Sequence, residues 1–83
     1  MHYKYYLKNV CSQSVDFDID DDHLIHNVQF IGGCNGNLKA IGILTEGMKA
    51  EKVSEMLLGN TCGFRPTSCA DQFAKAINHA LTK

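Results

Sequence analysis

Apolar and polar residues alternate through the first third of the chain and recur at helical spacing through the rest. Residues 3–8 alternate, with Tyr3, Tyr5 and Leu7 on one side, and their tyrosine content suits a β-strand. Residues 9–13 are polar, contain Cys11 and read as a turn. Residues 14–20 alternate cleanly. Val15, Phe17 and Ile19 point one way, and Ser14, Asp16, Asp18 and Asp20 the other, the period-two pattern of a half-buried strand with one wet face. Residues 20–23 turn the chain. Residues 25–32 form a third strand with Val28 and Phe30 inward and Asn27 and Gln29 outward. Ile31 interrupts the alternation and falls on an exposed or partner-covered face.

The period changes after Gly32. Residues 32–37, Gly-Gly-Cys-Asn-Gly-Asn, favour turns and positive φ. Asn37 is the expected N-cap of a first helix, in which Leu38, Ile41 and Thr45, with Leu44 beside them, follow helical spacing and Gly47 ends the run. Residues 49–58 form a second helix with Val53, Met56 and Leu57 inward, Glu51, Lys52 and Glu55 outward, and Gly59 as its stop. Thr67 or Ser68 caps a third helix, whose buried stripe is Phe73, Ala74, Ile77, Ala80 and Leu81. The expected fold class is α+β: a three-stranded antiparallel β-sheet followed by three α-helices packed on one face, one βββααα domain over residues 1–83.

Size and charge narrow the function classes. A chain of 83 residues has a marginal core, which a metal, a crosslink or a second subunit would reinforce. The 45% apolar content is that of a globular protein, and a net charge of -1 gives no basic footprint for nucleic acid. No apolar run approaches the length of a membrane span, and the start, Met-His-Tyr-Lys-Tyr-Tyr-Leu-Lys, lacks the apolar stretch of a signal peptide. The expectation is a cytoplasmic protein, in which four cysteines serve as thiols or ligands in preference to structural disulfides.

Following the direction of each element brings the cysteines together. Strand one delivers Cys11 to one end of the sheet, strand three delivers Cys34 to the same end, and a returning second helix brings Cys62 there. Cys69 starts the third helix at that end. Three chemistries fit. Four thiolates from Cys11, Cys34, Cys62 and Cys69 make a tetrahedral zinc site, although the spacing contains no C-x2-C knuckle. Cys69 at the first position of a helix, with Cys62 and Arg65 near, makes a redox or nucleophilic pair. The glycine-rich turn before the first helix (Gly33, Asn35, Gly36, Asn37), with Arg65, Thr67 and Ser68, makes a phosphate or nucleotide site, without the lysine or spacing of a Walker motif. A purely structural role is the alternative, since cysteine is a small and commonly buried residue.

The remaining polar clusters suggest less. Asp16, Asp18, Asp20, Asp21 and Asp22 read as a wet strand face plus a turn and lack the glycine and terminal glutamate of an EF-hand loop. His2, His23, His26 and His79 are scattered and read as surface residues. Asp71 falls in the first turn of the third helix, where it suits the helix dipole and is placed to bond back to the Ser68 N–H.

Thr67-Ser68-Cys69-Ala70-Asp71-Gln72 resembles the Thr-Ser-Cys-Pro-Asp motif of the TSCPD domain family. The likeness extends to Cys11-Ser12, the segment 28–37, Gly47-Met48 and Cys62-Gly63, and so covers almost the whole chain. Ala70 stands where the family has proline, a substitution that loosens a first helical turn without removing a functional group. That domain also occurs at the end of some ribonucleotide reductases. The resemblance therefore implies a link to deoxynucleotide synthesis, with a nucleotide or a ribonucleotide-reductase-related protein as partner. A reductase label would follow by family transfer, yet 83 residues are too few for the barrel that holds a reductase's radical cysteine. The leading expectation is a non-catalytic accessory or binding module. The rivals are a small thiol oxidoreductase using Cys62 and Cys69, and a homodimer with structural cysteines that pairs through Ile31 and Tyr6.

Overall fold

The computed structural model describes residues 1–7, 10, 12–33, 35–60 and 67–82, with the side chains of Asn35 and Asn37 excepted. Three strands, β1 (His2–Tyr6), β2 (Ser12–Ile19) and β3 (Ile25–Gly32), precede three helices, α1 (Asn35–Thr45), α2 (Ala50–Leu57) and α3 (Cys69–Leu81). The sheet is antiparallel in the order β1-β2-β3. The α+β arrangement is the one expected from the alternation and periodicity above.

Val15, Phe17 and Ile25 on the sheet are fully buried in one cluster with Ala50 and Val53 of α2 and Phe73 and Ile77 of α3. Phe73 sits edge-on to Phe17 and to Phe30, with ring centroids 5.5 and 5.6 Å apart, so one α3 side chain bridges β2 and β3. Burial of each such ring contributes about 2–3 kcal/mol. Tyr3, Tyr5 and Leu7 pack at the margin of this core, as their alternation requires.

Two bulges correct the simple alternation. In β3, the four residues from His26 to Gln29 lie opposite three in β2, from Asp18 to Asp16. The extra residue is absorbed where Asn27 takes φ 57°. That conformation suits asparagine better than a branched side chain, and it lets Ile25 and Phe30, an odd number of residues apart, face the same core. In β2, Ser12 and Ser14 pair with Gly32 and Ile31, so Gln13 is the extra residue. The strand therefore begins at Ser12 instead of Ser14, and Ser12 is turned inward, 2% exposed, where unbroken alternation would have placed Gln13.

The helices differ from expectation at their ends. α1 begins at Asn35, so Asn37 lies inside the helix and is not its N-cap. α1 packs on β3, an edge strand of the sheet, and at Gly42 it comes so near that a Cβ there would lie 3.0 Å from the Val28 carbonyl oxygen. Covering an edge with a helix is one way to prevent strand addition. After α1 the chain pairs with the start of β3: Ile25 N–H donates to the Met48 carbonyl at 2.9 Å, and Ala50 N–H to the His23 carbonyl at 2.7 Å. α2 has Lys49 as N-cap with no side-chain hydrogen bond. Met56, expected inside, is exposed. Ser54 takes the buried place beside Val53, and its hydroxyl donates to Asn78 on α3.

Candidate functional site

The end of the molecule where β1 hands over to β2 collects four segments. The β2 bulge turns Ser12 toward α3, and its Oγ–H donates to Cys69 Sγ at 3.0 Å. Both residues are buried. Gly33, at φ +80°, presses on the same place: a Cβ there would lie 3.0 Å from Ser12 N and 3.0 Å from Leu38 Cδ1. Only a residue without a side chain lets β3 turn into α1 this close to the start of β2. Ser12, Gly33 and Cys69, which either adjoin or are three of the cysteine positions, thus meet at one end.

Thr67, Ser68 and Asp71 are occupied with holding that end together. Ser68 is the N-cap of α3, and its Oγ accepts from Asp71 N–H at 3.1 Å while donating to the Asn60 carbonyl. Asp71 is 2% exposed. Its carboxylate accepts from Gly59 N–H at 2.7 Å, from the Thr67 hydroxyl, and from Lys75 Nζ at 3.2 Å. The expected bond from Asp71 back to the Ser68 N–H is replaced by the one to Gly59, so the carboxylate joins α3 to the residue that ends α2. The Thr67 hydroxyl, followed by the Gly59 N–H and Lys75, holds the Asp71 carboxyl below its usual pKa, against the opposing effect of burial. Gln72 Nε2 donates to Thr67 Oγ1 at 3.0 Å and completes the network. An ionised carboxylate and two committed hydroxyls make this helix start a poor seat for a second anion.

The other site candidates are distributed as follows. Cys69 is the first residue of α3, 8% exposed. Gly36 is exposed in the first turn of α1, and Asn35 and Asn37 lie in the same helix. Cys11, Cys34, Cys62 and Arg65 lie outside the described residues, as do the side chains of Asn35 and Asn37. Among the described residues no group of three or more His, Cys, Asp or Glu side chains is placed to hold a metal ion. Among them too, no helix is long and apolar enough to cross a membrane. Ser12 escaped the sequence reading, which gave residues 9–13 to a turn. Its only signal was that the alternation of Val15, Phe17 and Ile19 stops short of it.

A second polar cluster lies at the opposite end. His26 Nε2 meets Asp20 Oδ2 at 2.8 Å, and its Nδ1 meets Glu46 Oε2. Ionised carboxylates only accept, so both ring nitrogens donate and His26 is an imidazolium. Asp20 first, then Glu46, raise its pKa. The Leu24 N–H and then His26 lower that of Asp20, and the Asn27 N–H and then His26 lower that of Glu46. Beside them, Asp18 bonds His2 at 2.7 Å and the Asn27 amide at 2.9 Å, and His23 bonds Glu51 at 2.6 Å. Three of the four histidines that seem scattered along the chain, His2, His23 and His26, are thus paired with carboxylates, while His79 on α3 meets the Tyr5 hydroxyl at 3.0 Å.

A family model described as the TSCPD domain matches residues 1–81. No curated protein and no solved structure matches the chain. With nearly its whole length covered by that model, and with the Thr-Ser-Cys-Ala-Asp segment opening α3, the chain belongs to the TSCPD domain family.

Proposed function

We propose that this chain is a small accessory module of deoxynucleotide synthesis whose cysteine end binds zinc through Cys11, Cys34, Cys62 and Cys69, and which acts through a ribonucleotide-reductase-related partner instead of performing the reduction itself. The link to ribonucleotide reduction rests on the family likeness. The metal reading rests on one observation: Ser12 Oγ reaches Cys69 Sγ while Gly33 presses against the Ser12 backbone, so the residue after Cys11 touches both Cys69 and the residue before Cys34. The donor set suits the ion, since zinc favours thiolate sulfur. A hydroxyl donating to a ligand sulfur is the kind of outer-shell contact that orients metal ligands. Zinc in such a site would stabilise the fold and so reinforce a core of this size. A phosphate at the start of α3 is less well supported, because Thr67 and Ser68 bond within the chain and Asp71 carries a negative charge there.

Elemental analysis of protein purified without chelator tests the reading. About one equivalent of zinc is expected, lost in Cys69→Ser, and less than about 0.2 equivalents overturns it. Thiol exchange through Cys62 and Cys69 is the second reading, favoured by the place of Cys69 at the start of α3. It predicts zinc-free protein that reduces a disulfide substrate and loses that activity in Cys69→Ser.

A further inference from the structure

Helix α1 is apolar on two sides. Its inner side, Leu38, Ile41, Gly42 and Thr45, packs toward β3. Its outer side carries Gly36, Ala40, Ile43 and Leu44, continued by Gly47, all exposed and spaced as one stripe along a helix. Ile43 and Leu44 are 67% and 74% exposed. Lys39 is the only charged residue within Asn35–Thr45. A helix with apolar residues on both sides is normally covered on both. Single exposed apolar residues need no explanation, but a row at helical spacing does.

We propose that the outer face of α1 is a homodimer surface, on which a second copy of the chain lays its own α1 antiparallel about a two-fold axis. Two features of the stripe favour a second copy over an unrelated partner. The first is size. In an antiparallel pairing centred between Ile41 and Gly42, Ala40 of one helix faces Ile43 of the other, and Gly36 faces Gly47. Ile43 thus meets the small Ala40, the two glycines let the backbones approach at either end, and a Cβ built at either glycine would touch nothing within 4 Å in the single chain. The second is charge. Lys39 and Glu46 are seven residues apart, on the same flank of the stripe, and both line the groove between α1 and β3 with Asn27 and Val28. An antiparallel two-fold brings a flank against itself in reverse, so Lys39 of each copy approaches Glu46 of the other. Bonds to His26 and the Asn27 N–H already hold Glu46 in place for this contact. The groove continues past Lys39 to Ile31, 47% exposed, which widens the apolar surface toward the sheet. Isologous contacts of this kind close at two copies.

Sedimentation equilibrium under reducing conditions, from about 10 µM to about 500 µM chain, tests the proposal. The native protein is expected to reach twice the chain mass within that range. The double variant Ile43→Asp/Leu44→Asp is expected to stay monomeric throughout with an unchanged far-UV circular dichroism spectrum. Lys39→Glu, which sets like charges together at both ends of the contact, should weaken the dimer about tenfold. A native chain that is monomeric at every concentration overturns the proposal. So does a dimer that survives the double variant and falls apart in Tyr6→Asp, which would put the contact on the open face of the sheet.

Discussion

Ser12 donates its hydroxyl proton to the sulfur of Cys69 across 3.0 Å, and so ties the first residue of β2 to the first residue of α3, 57 positions away. Both groups are buried, and the bond exists only because the bulge at Gln13 turns Ser12 inward. Ser12→Ala is expected to lower the unfolding free energy by about 1 kcal/mol, the ordinary contribution of a buried hydrogen bond, and Ser12→Thr to lose less if the methyl is accommodated. Urea denaturation of the three proteins checks this. A midpoint for Ser12→Ala equal to the native one would show that the bond contributes nothing.

Asp71 gathers the ends of two helices. Asp71→Asn keeps the shape but not the charge, and leaves the Thr67 hydroxyl, the Gly59 N–H and the Lys75 ammonium short of an ionised acceptor. A loss of about 2–3 kcal/mol is expected, larger than for a cap exposed to water, because the group is buried. The pH dependence has a definite sign. The folded carboxyl has a lowered pKa, so its contribution is present above about pH 4 and fades as pH falls through the folded value. The difference between native and Asp71→Asn stability should therefore narrow on acidification. A constant difference from neutral to strongly acid pH would contradict the assignment.

The Gly33 backbone is held at φ +80° with the Ser12 backbone 3.0 Å from where a Cβ would stand. Leu38 on the other side can change rotamer, but the strand cannot. Gly33→Ala is expected to cost about 2 kcal/mol or more, from left-handed strain plus displaced backbone. Gly36→Ala, in α1 with nothing within 4 Å of the added methyl, should be neutral or up to about 1 kcal/mol stabilising to the monomer. Thermal or urea unfolding of the pair tests the contrast, and equal effects would overturn it.

At the other end, His26 makes stability fall as pH rises. Its folded pKa is raised, so the imidazolium's contribution is complete below about 6.5 and is lost as pH climbs through the folded value. Asp20 and Glu46 act in the opposite direction. Their lowered values make a contribution present above about pH 4 and lost only as pH falls through them. The cluster is thus at full strength between the carboxylate and imidazole ranges. His26→Gln should flatten the alkaline side of the stability curve and lower the plateau. A native curve that does not fall between about pH 6 and pH 9 while the variant's matches it would remove the role.

The sequence alone determined the order of elements, the antiparallel sheet and the inward faces of β2 and α3, because those depend on periods of two and of 3.6 that short windows display. Val15, Phe17, Ile19, Phe73 and Ile77 needed no partner to be recognised as core, and Thr67 or Ser68 was marked as a cap by the helix that follows, a choice the structure makes in favour of Ser68. Where one residue is added to a strand, the period carries no warning: Gln13 and Asn27 look like any others, and the facing of Ser12 was settled only by how β2 lies on β3. Met56, expected inside, is exposed and Ser54, to which the spacing assigned no face, is buried, because amphipathic spacing defines a stripe while the neighbour helix α3 chooses which edge of it is covered. The pairing of His26 with Asp20 and Glu46, and of Asp71 with Gly59, joins residues that no local pattern relates. Charges and hydrogen bonds act over a few ångströms of space, and it is the fold that decides which distant parts of the chain come within that reach.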